Sequence, residues 1–158
     1  MTLHRNRVRT AVIAAVLIAI SASVAIAEDI PAGAWKGNWI ANTSKSKFPG
    51  NPPKVDQVTI QADGSIAVHV VDADGKVADW SYKPQKGQFV PIQGRDKVTV
   101  QIVKANDHQL NQIWNANGKI SRTHATLSKD GKIQTFYGAP GTDSAGKPFQ
   151  EVVVFEKQ

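Results

Sequence analysis

Residues 55–82 read VDQVTIQADGSIAVHVVDADGKVADWSY. Asp63-Gly64 and Asp74-Gly75 each sit between short runs of β-branched and aromatic residues that alternate with polar ones. Asp-Gly suits the positive-φ positions of hairpin turns, and a period of two marks strands with one buried face. The stretch predicts three antiparallel strands near 55–62, 65–72 and 76–83. Downstream, Asn117-Gly118 and Asp130-Gly131 repeat the signal and predict strands near 97–104, 108–115, 119–127 and 132–138. A first strand around Trp35 to Ala41, a short one near Gln88 to Ile92 and a last one from Phe149 to Glu156 complete the set. No window beyond the N-terminal segment sustains a 3.6-residue apolar period. A meander of this kind must hide its edge strands by closing into a barrel or folding into two layers. The expected fold is all-β: an antiparallel up-and-down meander of about 8–10 strands closed into a barrel.

If each Asp-Gly or Asn-Gly is a two-residue loop, every cross-strand pair follows by counting. Val58, Ile60, Ala67, His69, Val71, Ala78, Trp80 and Tyr82 then share the inward face of the first three strands. Gln57, Thr59, Gln61, Asp79, Ser81 and Lys83 face out, interrupted by Ile66, Val68 and Val70. Around the two later turns, Leu110, Gln112, Trp114, Ser121, Thr123, Ala125, Leu127, Gln134 and Phe136 face in, and Asn111, Arg122, His124 and Tyr137 face out. One slipped turn reverses an assignment, because the side-chain period is two.

The chain has 158 residues, with 19 basic and 13 acidic side chains and no cysteine. Met1 to Arg9 is basic, Thr10 to Ile20 is almost wholly apolar, and Ala25-Ile26-Ala27 precedes the acidic Glu28-Asp29. That is the layout of a secretory signal peptide at 1–27, followed by one domain at 28–158. The competing reading is a retained membrane anchor, since the apolar run approaches the lower end of a spanning length. Cleavage removes Arg5, Arg7 and Arg9 and lowers the formal charge from +6 to +3. The high isoelectric point then loses its force as a pointer to nucleic acid. The mature protein is expected to be periplasmic or secreted, a monomer without nucleic-acid partner or membrane span. With no cysteine, disulfides, thiol catalysis and thiolate zinc are excluded.

Two segments interrupt the meander. Thr43 to Lys54 holds three prolines and is read as a loop crossing one end of the sheet, and Ala139 to Pro148 is a second long polar loop. Lys45, Lys47 and Lys54 surround Phe48 in the first.

Chemistry was sought in the usual arrangements. There is no Gly-x-Ser-x-Gly elbow, no paired inward carboxylates and no grouping of His69, His108 and His124 that would hold a metal, so neither metal nor cofactor is implied. VDADGK resembles the start of a calcium loop, but a strand follows at once. The inward face instead mixes bulky aromatics with a few polar groups, the composition of a small-molecule site. His69, Trp80, Tyr82, Gln112, Trp114, Thr123 and Phe136 are the candidate ligand-binding residues, for a small apolar or amphipathic ligand. A filled barrel whose polar groups satisfy one another is the alternative. Two other functions stay open: an envelope or surface protein acting through the outer stripe Ile66, Val68 and Val70, and a small barrel enzyme with His69 as an interior acid or base.

Gly33-Ala34-Trp35 and Gly37-Asn38-Trp39 both fit the Gly-x-Trp that opens the first strand of calycin barrels, lipocalins and fatty-acid-binding proteins among them. GNWIANTSKSKF, then PGNPP, VDADGK, WSY, LSKDGK, GKP and VVVFEKQ resemble a group of small secreted bacterial proteins of unassigned function with Gly-x-Trp-x-x-Asn and Lys-Ser-Lys-Phe near the mature N-terminus. The resemblance implies an exported lipocalin-like barrel, and no activity. The chain departs from calycins in having no C-terminal helix pattern, no two-helix lid and no disulfide, so loops alone would control access to an interior.

Overall fold

The computed structural model describes Pro31 and residues 33–158. The predicted signal peptide lies outside the described residues. A single turn of 3-10 helix, Gly33–Trp35, leads into β1 (Gly37–Ala41), β2 (Val55–Ile60), β3 (Ile66–Val71), β4 (Val77–Tyr82), β5 (Val90–Pro91), β6 (Val98–Ala105), β7 (Gln109–Ala116), β8 (Lys119–Leu127) and β9 (Ile133–Tyr137). After a small hairpin of β10 (Gly141–Thr142) and β11 (Pro148–Phe149), β12 (Val152–Lys157) ends the chain. Ten strands form one antiparallel sheet in the order β4-β3-β2-β1-β12-β9-β8-β7-β6-β5. Its two ends meet at one bridge, where Ser81 N–H donates to Gln93 O at 3.0 Å and Gln93 N–H to Ser81 O at 2.8 Å. The result is the expected all-β up-and-down barrel, nearly closed.

The turns decide the register. Asn117-Gly118 is the two-residue loop expected, with Asn117 at φ 52°, and the counted pairs Trp114↔Ser121 and Gln112↔Thr123 are present. The turn around Asp130-Gly131 is longer, since Ser128 N–H donates to Ile133 O, but its parity is unchanged and Ala125 faces Phe136 as counted. The first two turns differ. Gln61 pairs with Ser65 and Asp72 with Lys76, each spanning a three-residue loop. Asp63 and Asp74 keep negative φ, and only Gly64 (80°) and Gly75 (88°) enter the left-handed region. The carboxylate oxygen of Asp72 accepts from Asp74 N–H at 2.9 Å and Lys76 N–H at 2.8 Å, which fixes the loop locally.

Each three-residue loop shifts its hairpin by one residue. The two shifts cancel between β2 and β4 and leave β3 alone inverted. Val58 and Ile60, and Trp80 and Tyr82, face inward as expected. Ile66, Val68 and Val70 also face inward, opposite Ile60, Val58 and Asp56, while Ala67, His69 and Val71 face out. The outer apolar stripe expected of β3 is therefore part of the inner wall, and the exterior interface built on it does not exist.

One end of the barrel is sealed. Trp35 and Trp39 are 1% and 0% exposed. The Trp35 indole donates to Asn106 O at 2.6 Å, and that of Trp39 to Trp35 O at 2.9 Å. The Lys157 ammonium donates to Ala34 O at 2.8 Å and lies 5.1 Å above the Trp39 ring. Both Gly-x-Trp sequences thus supply the floor. At the opposite end lie the two long loops. The first contains a 3-10 turn at Thr43–Lys45 where only loop was expected. It is pinned by the Lys47↔Val152 bridge, packs Phe48 against the core and carries the Lys45–Glu156 ion pair at 2.8 Å. The second folds into the β10–β11 hairpin and touches the first where Ser144 N–H donates to Pro49 O.

Candidate functional site: the mouth of the barrel

Burial falls from floor to mouth along β2, β3, β4 and β7, while Val90, Val100 and Val153 stay buried beside Trp114 and Phe136. Next to the floor, Ile60, Ile66, Tyr82, Leu110, Leu127 and Phe155 are all buried. Two to four residues further along the same strands, Val58, Val68, Val70, Trp80, Trp114 and Phe136 are only partly buried, and Ala78 is exposed. Inward by register, Val58, Val68, Trp80, Trp114 and Phe136 pack against the buried core and keep part of their surface in solvent at the mouth end of the barrel.

The polar side chains within it hold each other. Gln112, 5% exposed, donates from Nε2 to the Tyr82 hydroxyl at 2.6 Å, and its Oε1 accepts from Thr123 Oγ1 at 3.2 Å. Thr123 Oγ1 in turn accepts the Trp114 indole N–H at 2.9 Å. The Tyr82 and Trp114 rings meet edge to face, with centroids 6.1 Å apart. Burial raises the Tyr82 hydroxyl pKa above its ordinary value and keeps it neutral, with the Gln112 hydrogen bond opposing. The chain Tyr82–Gln112–Thr123–Trp114 therefore fixes the angle of Trp114 at the mouth.

Among the described residues, two buried side-chain polar atoms have no partner: Trp80 Nε1 and Gln134 Oε1. Each such atom costs about 1–3 kcal/mol, and the Trp80 indole is a buried donor on the inward side of β4. The Arg95 guanidinium covers the Trp80 ring at 3.7 Å from its centroid.

The sequence shows no paired inward carboxylates by turn counting, yet Asp56 precedes Val58 by two residues and continues its inward alternation on β2. Glu151, one residue before β12, packs against Gly138. Desolvation, and secondarily the charge of Glu151, push the Asp56 carboxyl from 3.8 up to about 6. Burial raises Glu151 as well. The sequence did hold a signal for Asp56, since counting back from Val58 reaches it; the inward set simply stopped one step short. Arg95 had no such signal, because its place follows from the seam.

Of the sequence-predicted site residues, Tyr82, Gln112, Thr123 and Trp114 are joined by hydrogen bonds and a ring contact, while Trp80 and Phe136 share their inward face. His69 is not among them. It sits on the outer face opposite Asp79, with its side chain 44% exposed, so the interior acid or base expected there is absent. Among the described residues no group of three or more His, Cys, Asp or Glu could hold a metal ion, and no helix is long and apolar enough to cross a membrane.

No family model matches the chain, and no curated protein does so by sequence. Among solved structures, a point mutant of the fluorescent protein UnaG is similar to it, with 14% identity, a TM-score of 0.51, and coverage of 79% of this chain and 96% of that one. At that identity the likeness concerns the fold: a ten-stranded antiparallel barrel-shaped sheet resembling a calycin.

Proposed function

We propose that the protein binds a small, partly apolar molecule in the mouth half of the barrel, and that it does so in the periplasm or after secretion. The observation that carries this reading is that Trp80, Trp114 and Phe136 face inward at the mouth end and keep part of their surface in solvent, beside the buried Val90, Val100 and Val153. A filled core has no reason to keep large apolar side chains both inward and wet. Trp80 and Phe136 supply contact area, Trp114 is held at a set angle through Thr123, and the free Trp80 indole N–H gives an acceptor on the ligand a partner. Asp56 and Glu151 bring carboxyl groups to the mouth, and Arg95 over Trp80 brings a cation. The N-terminal export pattern supports the location, and fractionation of cells expressing the full chain checks it.

Titration of the purified protein with a fatty acid, haem and an aromatic metabolite, followed by tryptophan fluorescence, tests the binding. A saturable change with at least one class, weakened by Trp80→Ala, is expected. Unchanged emission with all three classes would overturn the proposal.

A further inference from the structure

The outer face across β2, β3 and β4 carries a trough whose shape follows from the corrected register. Thr59 pairs with Ala67, Ala67 with Ser81 and Ser81 with Gln93, so one row of residues crosses three strands and the seam with small side chains at its centre. The adjacent row, Gln57–His69–Asp79, forms one wall. On the other side stand Gln61, Ser65 and Lys83. At about 4.8 Å per strand the row runs for roughly 14 Å, and same-face rows lie about 7 Å apart. The groove has a volume of about 580 Å³, is lined by Val68 and Trp80 as well, and has Gln93 and Gly94 at its seam end.

Every charge in its walls is paired: His69 Nδ1 with Asp79 Oδ1 at 2.6 Å, and Lys83 Nζ with Asp63 Oδ2 at 2.9 Å. A carboxylate only accepts, so Nδ1 carries the proton and donates to Asp79, leaving Nε2 as the ring nitrogen without that partner. The remaining polar lining consists of the Gln57 and Gln93 amides and the Thr59 and Ser81 hydroxyls, neutral groups that can both donate and accept. Thr59 Oγ1 donates to Asn38 Oδ1 at 3.0 Å and so offers its lone pairs.

We propose that this trough, on the outer face and sharing Val68 and Trp80 with the mouth wall, is a second binding site for a neutral polyhydroxylated chain of a few sugar units. Ions find no unpaired countercharge there. A peptide finds no free strand edge along the floor row, because its strands are already laddered to their neighbours. Sugar hydroxyls, each donor and acceptor at once, match a lining of amides, hydroxyls and one imidazole nitrogen.

The test is titration of the ¹⁵N-labelled full chain with maltotriose, cellotriose and triacetylchitotriose, followed through backbone amide signals. At least one trisaccharide should give saturable shifts at Thr59, Ala67, His69, Ser81 and Gly94 while the indole signal of Trp114 stays in place. Ala67→Phe fills the floor of the trough from outside the barrel and should raise the half-saturation concentration at least tenfold. Gln57→Ala combined with Gln93→Ala should weaken binding without adding bulk, which separates lost contacts from a misfolded variant. Absence of saturable shifts with all three sugars, shifts confined to the mouth, or unchanged binding in Ala67→Phe and in the double variant would each overturn the proposal.

Discussion

Asp56→Asn should stabilise the protein, and by an amount that depends on pH. In the folded chain the Asp56 carboxyl titrates at about 6 instead of 3.8, first because it is desolvated and then because Glu151 is near. The folded state thus holds a proton that the unfolded state has released. Between about pH 4 and 6 unfolding releases it, so stability falls as pH rises through that window and stays lower above it. The displacement of about two pH units, at about 1.4 kcal/mol each, sets an upper value of about 3 kcal/mol. Asparagine has no charge to desolvate. The variant should therefore equal the parent below pH 4 and exceed it by about 2–3 kcal/mol at pH 7.5, or roughly 10 °C in Tm for a domain of this size. Thermal unfolding of both proteins by circular dichroism from pH 3.5 to 8 measures this difference. Parallel Tm–pH curves, or a variant less stable than the parent at neutral pH, would refute the desolvated, inward position of Asp56.

Other consequences are more local. Gly94 has φ 85°, and a Cβ there would stand 2.3 Å from Asp79 O; Gly94→Ala should open the β4–β5 seam and cost about 2–4 kcal/mol, read by urea denaturation. Thr123→Val removes both the acceptor of the Trp114 indole and the donor to Gln112. A loss of about 1–3 kcal/mol is expected, with a shift in Trp114 emission that Thr123→Ser restores. Trp39→Ala empties the sealed floor and should cost about 3–5 kcal/mol, whereas Ala78→Ser at the rim should leave Tm unchanged.

Much of the fold was legible because it is written in local turn chemistry. All ten strands of the main sheet were placed from dipeptides and alternation, and the floor tryptophans followed from the two Gly-x-Trp sequences. What failed was one distinction between similar turns. Asn tolerates the left-handed conformation better than Asp, so Asn117-Gly118 makes a two-residue loop, while Asp63 and Asp74 stay at negative φ and let glycine alone take the bulge position. That single difference moved His69 from the interior to the outer wall and brought Ile66, Val68 and Val70 inside. The seam lay beyond the reach of turn counting altogether. Gln93, Gly94 and Arg95 gain their roles only when the ends of the sheet meet, which is a long-range event with no local signature. The mouth aromatics survived because Trp80 and Tyr82 are two turns from β2, where the two errors cancel, and because the turns that place Trp114 and Phe136 kept their parity.

The four tryptophans test the central claim directly, since Trp35 and Trp39 lie in the floor and Trp80 and Trp114 in the mouth. The indole N–H signals of ¹⁵N-labelled protein, recorded during titration with a ligand that saturates its fluorescence, should move for Trp80 and Trp114 and remain fixed for Trp35 and Trp39. Movement of the floor pair alone, or no movement of any indole under saturating ligand, would contradict a binding site in the open half of the barrel.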